Sequence, residues 1–378
     1  MSASIIVLVL FVAAMFSGMF SCEMAVALLL CAVLIPAFDI LISAIRIKRP
    51  LEIKTPDGSN EPFHPSVMFF REGWNGYRYW MAFTPYPVFK PPYRDRWECP
   101  CVVTSNDGVR WNYPGKFEFL DDLTQEQIES FGYFSDTHLT YDNRQDKLYC
   151  YYRLNEGRNP GTVTIFRRET VDGKQWSERT PLVYPQDVER LEPLSQCVLR
   201  QNNDFYMWYV AHRGDPNGIY MVKSTDGLYW NDNRKCTLLG AKVRPWHIDV
   251  QYIEGNYYLV VYELSQRISL WKSADGEKFS FVRVLLTIPG FGNCGLFYNN
   301  ILYRACLVKT DKDYKLYFAC GSKNKNGLGL LKGDRLSALR VVSLTGNKPY
   351  KMLFYDVLSK YTYIERIIFH RVKRIIKE

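Results

Sequence analysis

An internal repeat constrains the fold of this 378-residue chain more than any other feature. A turn of the form Ser/Thr-x-Asp-Gly-x-x-aromatic recurs about every 50 to 65 residues, which is typical of repeat architectures. Its copies are Ser105–Trp111, Thr170–Trp176, Ser224–Trp230 and Ser273–Phe279. An Asp-Gly pair supplies the positive φ that a tight turn between two strands needs. The repeat therefore indicates a series of similar β units.

An aromatic-rich alternating strand precedes each of these turns, and a fifth copy lacks the turn. These strands begin at Tyr77, Lys147, Phe205, Tyr257 and Tyr314. Each follows a shorter apolar strand across a polar hairpin. The shorter strands begin near His64, Asp136, Glu192, His247 and Tyr303. The pattern predicts an all-β, five-bladed β-propeller over residues 50–349. A pair of β-sandwiches is the alternative, but the regular period argues against it.

The composition agrees with a packed, β-rich protein, since 47% of residues are hydrophobic and 15% are aromatic. The formal charge of +9 is spread along the chain, which argues against a nucleic-acid partner. Ten cysteines at irregular spacing suggest neither a disulfide framework nor a zinc motif. No cofactor is expected from the sequence.

The first 49 residues contain two apolar runs, Ile5–Phe20 and Met24–Ile45, followed by Arg46, Lys48 and Arg49. The second run is long enough to cross a bilayer, so residues 1–49 are predicted to be an anchor with one or two transmembrane helices. A buried core hairpin is the alternative. The basic cluster places the propeller on the cytoplasmic face of the inner membrane. Free thiols in a reducing compartment agree with that orientation.

The segment 350–378 carries apolar residues at helical spacing and many basic residues between them. Such a basic amphipathic helix is predicted to lie on an anionic membrane surface. Packing against the propeller is the alternative. The sequence thus predicts membrane lipids as partners of both ends of the chain.

The turns, the Tyr-rich strands and the blade openings resemble the five-bladed propellers of the glycoside hydrolase superfamily, which includes invertases, levansucrases, arabinanases and β-xylosidases. The resemblance covers about 300 residues. The segments His64–Val67, Gly73–Ala82, Leu302–Ala305 and Lys315–Phe318 are similar to a group of uncharacterised bacterial propellers. The resemblance implies a carbohydrate or glycolipid substrate bound in the propeller funnel.

In that superfamily, carboxylates on the inner strands flank an oxocarbenium-like transition state. The resemblance implies that Asp136 tunes the site and holds the sugar, and that Glu192 is the general acid. Glu189 is a nearby alternative to Glu192, and Asp249 is a third acidic candidate. A turn cap and a surface-loop carboxylate are the plainer interpretations of Asp136 and Glu192.

The first blade departs from the superfamily pattern, because His64 precedes Pro65 where a hydrolase would usually have Asp. Asp249 or Glu98 could replace the missing base, His64 could itself serve as the base, or the protein does not hydrolyse its ligand.

Three of the five histidines, His64, His138 and His247, lie at blade openings. Their shared position predicts a ring of polar groups around a ligand, although the spacing is not diagnostic of a metal site. Arginines near the openings are suited to a phosphate or carboxylate on an anionic sugar. The predicted substrate-binding residues are Glu98, His138, His247, Arg244, Arg304 and Trp246.

The leading hypothesis is a membrane-anchored, glycoside-hydrolase-like enzyme acting on a glycosyl bond in the funnel, with Asp136, Glu192, His64 and Asp249 as catalytic candidates. One alternative is a glycosyltransferase that uses a nucleotide- or lipid-linked sugar at the cytoplasmic face. The other is a non-catalytic glycan-binding propeller, which the missing first-blade Asp favours.

Overall fold

The computed structural model describes residues 50–88, 98–157, 162–264, 266–288, 298, 300–322 and 325–341. The predicted anchor and the predicted basic helix lie outside these residues. Within the described part of the chain, no helix combines the length and apolar character needed to cross a membrane.

The described chain folds into five sheets, which correspond to the five predicted blades. The first two sheets contain β1 (Pro62–Trp74), β2 (Tyr77–Pro85) and β3 (Cys101–Ser105), then β4 (Tyr133–Asp142), β5 (Lys147–Asn155), β6 (Val163–Thr170) and β7 (Thr180–Pro181). The third contains β8 (Pro193–Gln201), β9 (Asp204–Ala211), β10 (Ile219–Ser224) and β11 (Asn231–Lys235). Two short helices, α1 (Gln125–Glu129) and α2 (Gln186–Glu189), precede the second and third sheets.

The fourth sheet contains β12 (Thr237–Leu239), β13 (Pro245–Ile253), β14 (Asn256–Glu263), β15 (Arg267–Ser273) and β16 (Lys278–Thr287). The fifth contains β17 (Ile301–Lys309), β18 (Tyr314–Gly321), β19 (Asn326–Gly333) and β20 (Arg340–Val341), with a 3-10 turn at Leu336–Ala338. Neighbouring strands are antiparallel except β12, which pairs parallel with β16. The sequence-based prediction of a five-bladed propeller is confirmed.

The inner strands β1, β4, β8, β13 and β17 contact one another in this order, and β1 contacts β17 to close the ring. The start of the described chain reinforces this closure, because the Leu51 N–H donates a hydrogen bond to the Leu328 carbonyl at 2.7 Å. Leu51 and Ile53 also pack in one apolar cluster with residues of the first and fifth blades. Closing the ring leaves each blade packed between two others.

The Asp-Gly turns join neighbouring blades as well as neighbouring strands. In each turn the Asp carboxylate accepts backbone N–H bonds from the residues two and three positions ahead. Gly173 has φ +69°, and a Cβ there would lie 2.0 Å from the ring of Trp80 in the preceding blade. Glycine is therefore required both by the backbone conformation and by the packing between blades.

A β-bulge interrupts every inner strand close to its start. At His64, Asp136 and Ser195 the bulge places the backbone in the left-handed region, with φ of 48°, 52° and 55°. A bulge changes the direction in which a side chain points. These three bulges lie near the starts of inner strands, at the end of the propeller that faces the central axis. The third-blade residue in this position is Ser195, whereas Glu192 lies before β8. The predicted alignment of Glu192 with the other blade openings is thus corrected.

Candidate functional site

A cavity of about 610 Å³ opens at the end of the propeller where the inner strands begin. Most of its polar wall comes from blades one, two, four and five, and the third blade adds His212. The side chains that define it are His64, Glu98, Asp136, Arg153, His247 and Tyr303. Aromatic residues complete the rim, among them Tyr86, Phe131, Tyr133 and Trp246. A cavity of this size with a few convergent polar groups is typical of a small-molecule site.

Two histidines and one carboxylate meet in the cavity. His64, Asp136 and His247 each offer a ligand atom, and these atoms all lie within 4.8 Å of one another. Nδ1 of His64 is 2.8 Å from Oγ1 of Thr84, which fixes that ring. Nδ1 of His247 is 3.3 Å from Oδ1 of Asp136. The bulges bring together residues that are far apart in the sequence, from three blades.

Asp136 is buried yet held in its charged form. Its Oδ2 accepts a hydrogen bond from the Ser195 N–H at 3.0 Å, and its Oδ1 lies 3.5 Å from Nη1 of Arg304. Burial alone would raise the pKa of Asp136, but the contact with His247 and the charge of the Arg304 guanidinium hold it well below its usual range. Burial lowers the pKa of His247 to about 4, so this ring is neutral near pH 7.

Glu98 has the opposite character. Its side chain is buried, and its Oε2 lies 3.1 Å from Nδ1 of His64. Burial raises the pKa of Glu98, although His64 opposes the shift. Among the described residues, Glu98 Oε2 and both ring nitrogens of His247 are buried without a well-formed hydrogen bond. Such groups at a cavity wall are suited to a ligand or to proton transfer.

A second cluster of His138, Cys197 and Asp249 lies away from the cavity wall. Nδ1 of His138 accepts a hydrogen bond from the Val198 N–H at 3.2 Å, and Nε2 faces Oδ1 of Asp249 at 3.6 Å. Asp249 also accepts the Leu307 N–H at 3.0 Å, and burial raises the pKa of the Cys197 thiol to about 12. Nε2 of His138 has no hydrogen-bond partner in the described structure, like the ring nitrogens of His247. The second cluster is fully buried and does not line the cavity, so it joins neighbouring blades and would not meet a ligand bound in the cavity.

The structure separates the other predicted site residues. Glu192 is partly buried and does not line the cavity; it pairs with Arg213 at 2.8 Å and lies 3.3 Å from His212. Arg244 is exposed and does not line the cavity. Arg304 is fully buried beneath the cavity and pairs with Asp136. Trp246 lies at the rim and donates its indole N–H to the Tyr303 hydroxyl at 3.1 Å.

Sequence reasoning did not select Arg153, His212, Tyr86 or Tyr303 as site residues, although all of them line the cavity. Tyr303 stands at a predicted strand start next to Arg304, so its place in the repeat could have indicated a residue of the cavity. Arg153 lies inside β5, in a buried run with Tyr151, Tyr152 and Leu154. A charged residue in such an apolar run could have indicated a functional position.

Comparison with known proteins finds no matching family model. An A type blood N-acetyl-α-D-galactosamine deacetylase from Flavonifractor plautii is 26% identical over 234 residues, which cover 50% of this chain and 29% of that protein. The chain thus spans under a third of the length of that relative.

Solved structures share the fold. A crystal structure of an N-acetylgalactosamine deacetylase from F. plautii, in complex with blood group B trisaccharide, matches with a TM-score of 0.55 and 20% identity, covering 81% of this chain and 89% of that one. A GH43_1 enzyme from Xanthomonas citri complexed with xylotriose matches with a TM-score of 0.55, 12% identity and coverages of 82% and 98%. The RS223 β-xylosidase matches at 0.54, with 14% identity and coverages of 79% and 99%. The predicted resemblance to glycoside hydrolase propellers is confirmed at the level of the fold.

Proposed function

We propose that this propeller is a carbohydrate-active hydrolase that removes an N-acetyl group from a sugar. The observation that carries the proposal is the cluster of His64, Asp136 and His247 beside the buried carboxyl of Glu98, whose pKa is raised by burial. Two histidines and a carboxylate at a cavity are the donor set of metal-assisted hydrolysis. The Flavonifractor plautii relative is a deacetylase, which supports the same chemistry.

The three side chains fit a divalent cation such as Zn²⁺ or Mn²⁺. Both ring nitrogens of His247 are buried without a well-formed hydrogen bond in the described structure, and Asp136 is ionised. His64, oriented through Nδ1 by Thr84, keeps Nε2 for the cation. When bound, such a cation would polarise the acetyl carbonyl and activate a water molecule.

The remaining chemistry belongs to the residues of the chain. Glu98, whose pKa is raised by burial, is the group suited to deliver a proton to a departing amine. The aromatic rim, including Tyr303 and Trp246, offers faces for the sugar ring.

One feature weighs against the carboxylate pair that the sequence predicted for glycosidic cleavage. Glu192, the predicted general acid, pairs with Arg213 at 2.8 Å and does not line the cavity. The charged state of Asp136 agrees with its predicted role of holding the sugar. Hydrolysis of a glycosidic bond remains a second candidate, with Glu98 as the acid and Asp136 as the charged partner, because their pKa shifts have opposite directions.

The experiment supplies the full chain with N-acetylated oligosaccharides and with xylo- and arabino-oligosaccharides, and measures free acetate and new reducing ends. Release of acetate alone, lost in Asp136→Asn, is the expected result. New reducing ends without acetate would replace the proposal by the second candidate. Binding without either product would indicate the glycan-binding alternative.

A further inference from the structure

We propose that Arg153 makes the cavity selective for a sugar that carries an anionic group, a carboxylate or a phosphate. The inference rests on the proposed function in one respect, that the cavity binds carbohydrate. It adds the substrate class, which neither the fold nor the compared proteins supply.

Arg153 is a buried guanidinium in the wall of the cavity, with 3% of the residue exposed. It lies on β5, and among the described residues its polar contact is a long hydrogen bond of 3.4 Å from Nη1 to Oγ of Ser135. Its Nε is buried without a hydrogen-bond partner, and no described carboxylate lies within ion-pair distance of it. An uncompensated buried charge is costly, so a buried arginine normally has a counterion.

Arg304 provides the contrast, because it is fully buried and does have its counterion. Its Nη1 lies 3.5 Å from Oδ1 of Asp136, and its Nη2 donates to the Gln196 carbonyl at 3.1 Å. Arg304 therefore forms its ion pair within the protein, whereas the guanidinium of Arg153 is available to a ligand in the cavity.

The charge balance of the described cavity also leaves Arg153 unmatched. Asp136 is matched by Arg304, and His212 faces Glu192. Glu98, the other acidic side chain of the wall, has its Oε2 3.1 Å from Nδ1 of His64 and forms no ion pair with Arg153. Arg153 is thus without an ion-pair partner among the described residues, and a ligand anion would supply one.

The guanidinium fork matches a carboxylate or a phosphate through paired N–H bonds. Because Arg153 shares one cavity of about 610 Å³ with the His64, Asp136 and His247 cluster, a single ligand has room to touch both. The ligand would be a uronate or a phosphorylated sugar, with its acyl group at the cluster.

The test measures binding to the full chain by calorimetry, using the methyl glycosides of glucose, glucuronic acid and glucose 6-phosphate. We expect at least one anionic ligand to bind about 10- to 100-fold more tightly than the neutral one. Whichever anion is preferred identifies the source of the charge. Equal binding of all three ligands would overturn the inference.

The matched variants are Arg153→Met and Arg304→Met, which remove the same group from two buried positions. Arg153→Met should abolish the preference for the anion with little change in Tm, because only the long hydrogen bond to Ser135 is lost. Arg304→Met should lower Tm, because Asp136 would lose its partner. Retained anion preference in Arg153→Met, or a fall in Tm as large as that of Arg304→Met, would indicate a structural role. Should Arg153→Met fail to fold, Arg153→Lys replaces it. This variant keeps the charge but loses the guanidinium fork, so its preference for the anionic ligand should be weaker.

The two proposals fail separately. Acetate release from neutral sugars with no preference for an anion would overturn only the role of Arg153. Tight binding of an anionic sugar without release of acetate from its N-acetylated form would overturn only the proposed reaction.

Discussion

The chemistry of the cavity depends on three buried groups whose pKa values move in different directions. Burial raises the pKa of Glu98 and lowers that of His247 to about 4, while opposite charges hold Asp136 below its usual range. The same cavity therefore holds an acid whose protonated form is favoured by burial, a neutral imidazole and a fixed negative charge. Opposed pKa shifts of this kind are typical of sites that carry out acid–base chemistry.

Replacing Glu98 by Gln should stabilise the fold at neutral and alkaline pH. Between the ordinary Glu pKa and the raised one, the folded state binds a proton that the unfolded state lacks, so wild-type stability falls as pH rises. The variant cannot titrate at this position. Urea unfolding from pH 4 to 9 should show a shallower decline for Glu98→Gln, together with a loss of activity of about 100-fold or more. Parallel stability curves would contradict the assignment.

The cation proposal predicts that Zn²⁺ or Mn²⁺ raises the Tm of the wild-type chain. A ligand at 100 times its Kd adds about 2.7 kcal/mol to the free energy of unfolding. The shift should vanish in His247→Gln and persist in His138→Gln, because His138 belongs to the cluster outside the cavity. An equal shift in both variants would mean that the cation binds elsewhere.

At the scale of elements, the Asp-Gly turns hold neighbouring blades together, whereas the bulges position the side chains of the site. The turns fix the spacing between blades, since the Tyr317 hydroxyl and the Trp208 indole N–H bond to turn carbonyls of adjacent blades at 2.9 and 2.7 Å. The bulges at the starts of the inner strands position the cluster. The turns that stabilise the packing of the blades and the bulges that position the site thus lie at opposite ends of the strands.

A pair of glycine variants tests the role of the turns. Gly173→Ala should cost about 3 to 5 kcal/mol, because a positive φ is combined with overlap against the buried Trp80 ring. Gly255→Ala has a φ of +80° but no atom within 4 Å of the added Cβ, so about 1 to 2 kcal/mol is expected. Chemical denaturation measures both. A similar loss of unfolding free energy in both variants would show that backbone strain alone explains the glycine at position 173.

At the scale of the molecule, the closed ring is what gathers the site. His64, Asp136, His247 and Tyr303 belong to four different blades, and each reaches the cavity only because β1 packs against β17. Loosening the closure should therefore disturb the site and the fold together.

The membrane anchor predicted for residues 1–49 is tested by deleting them. Most of the protein should then leave the hydrophobic membrane fraction, with a salt-sensitive remainder if the basic segment 350–378 binds anionic lipid. Thiol labelling is unsuitable for finding which side the propeller faces, because all seven described cysteines are buried. A protease site added at the exposed Asn75 would serve instead. Full extraction of the intact chain by high salt would contradict a spanning anchor.

The sequence by itself determined the repeat, and with it the propeller, because turn chemistry and strand alternation are local properties. It also indicated His64, Asp136 and His247, since they stand at blade openings that the repeat locates. It could not decide between Glu192, Glu98 and Asp249, which depend on burial and on partners distant in the chain. Ring closure placed Asp249 with His138, paired Glu192 with Arg213, and left Arg153 facing the cavity without a described counterion. Those outcomes belong to the tertiary structure, because a pKa and an unmatched charge are set by neighbours that the local sequence does not contain.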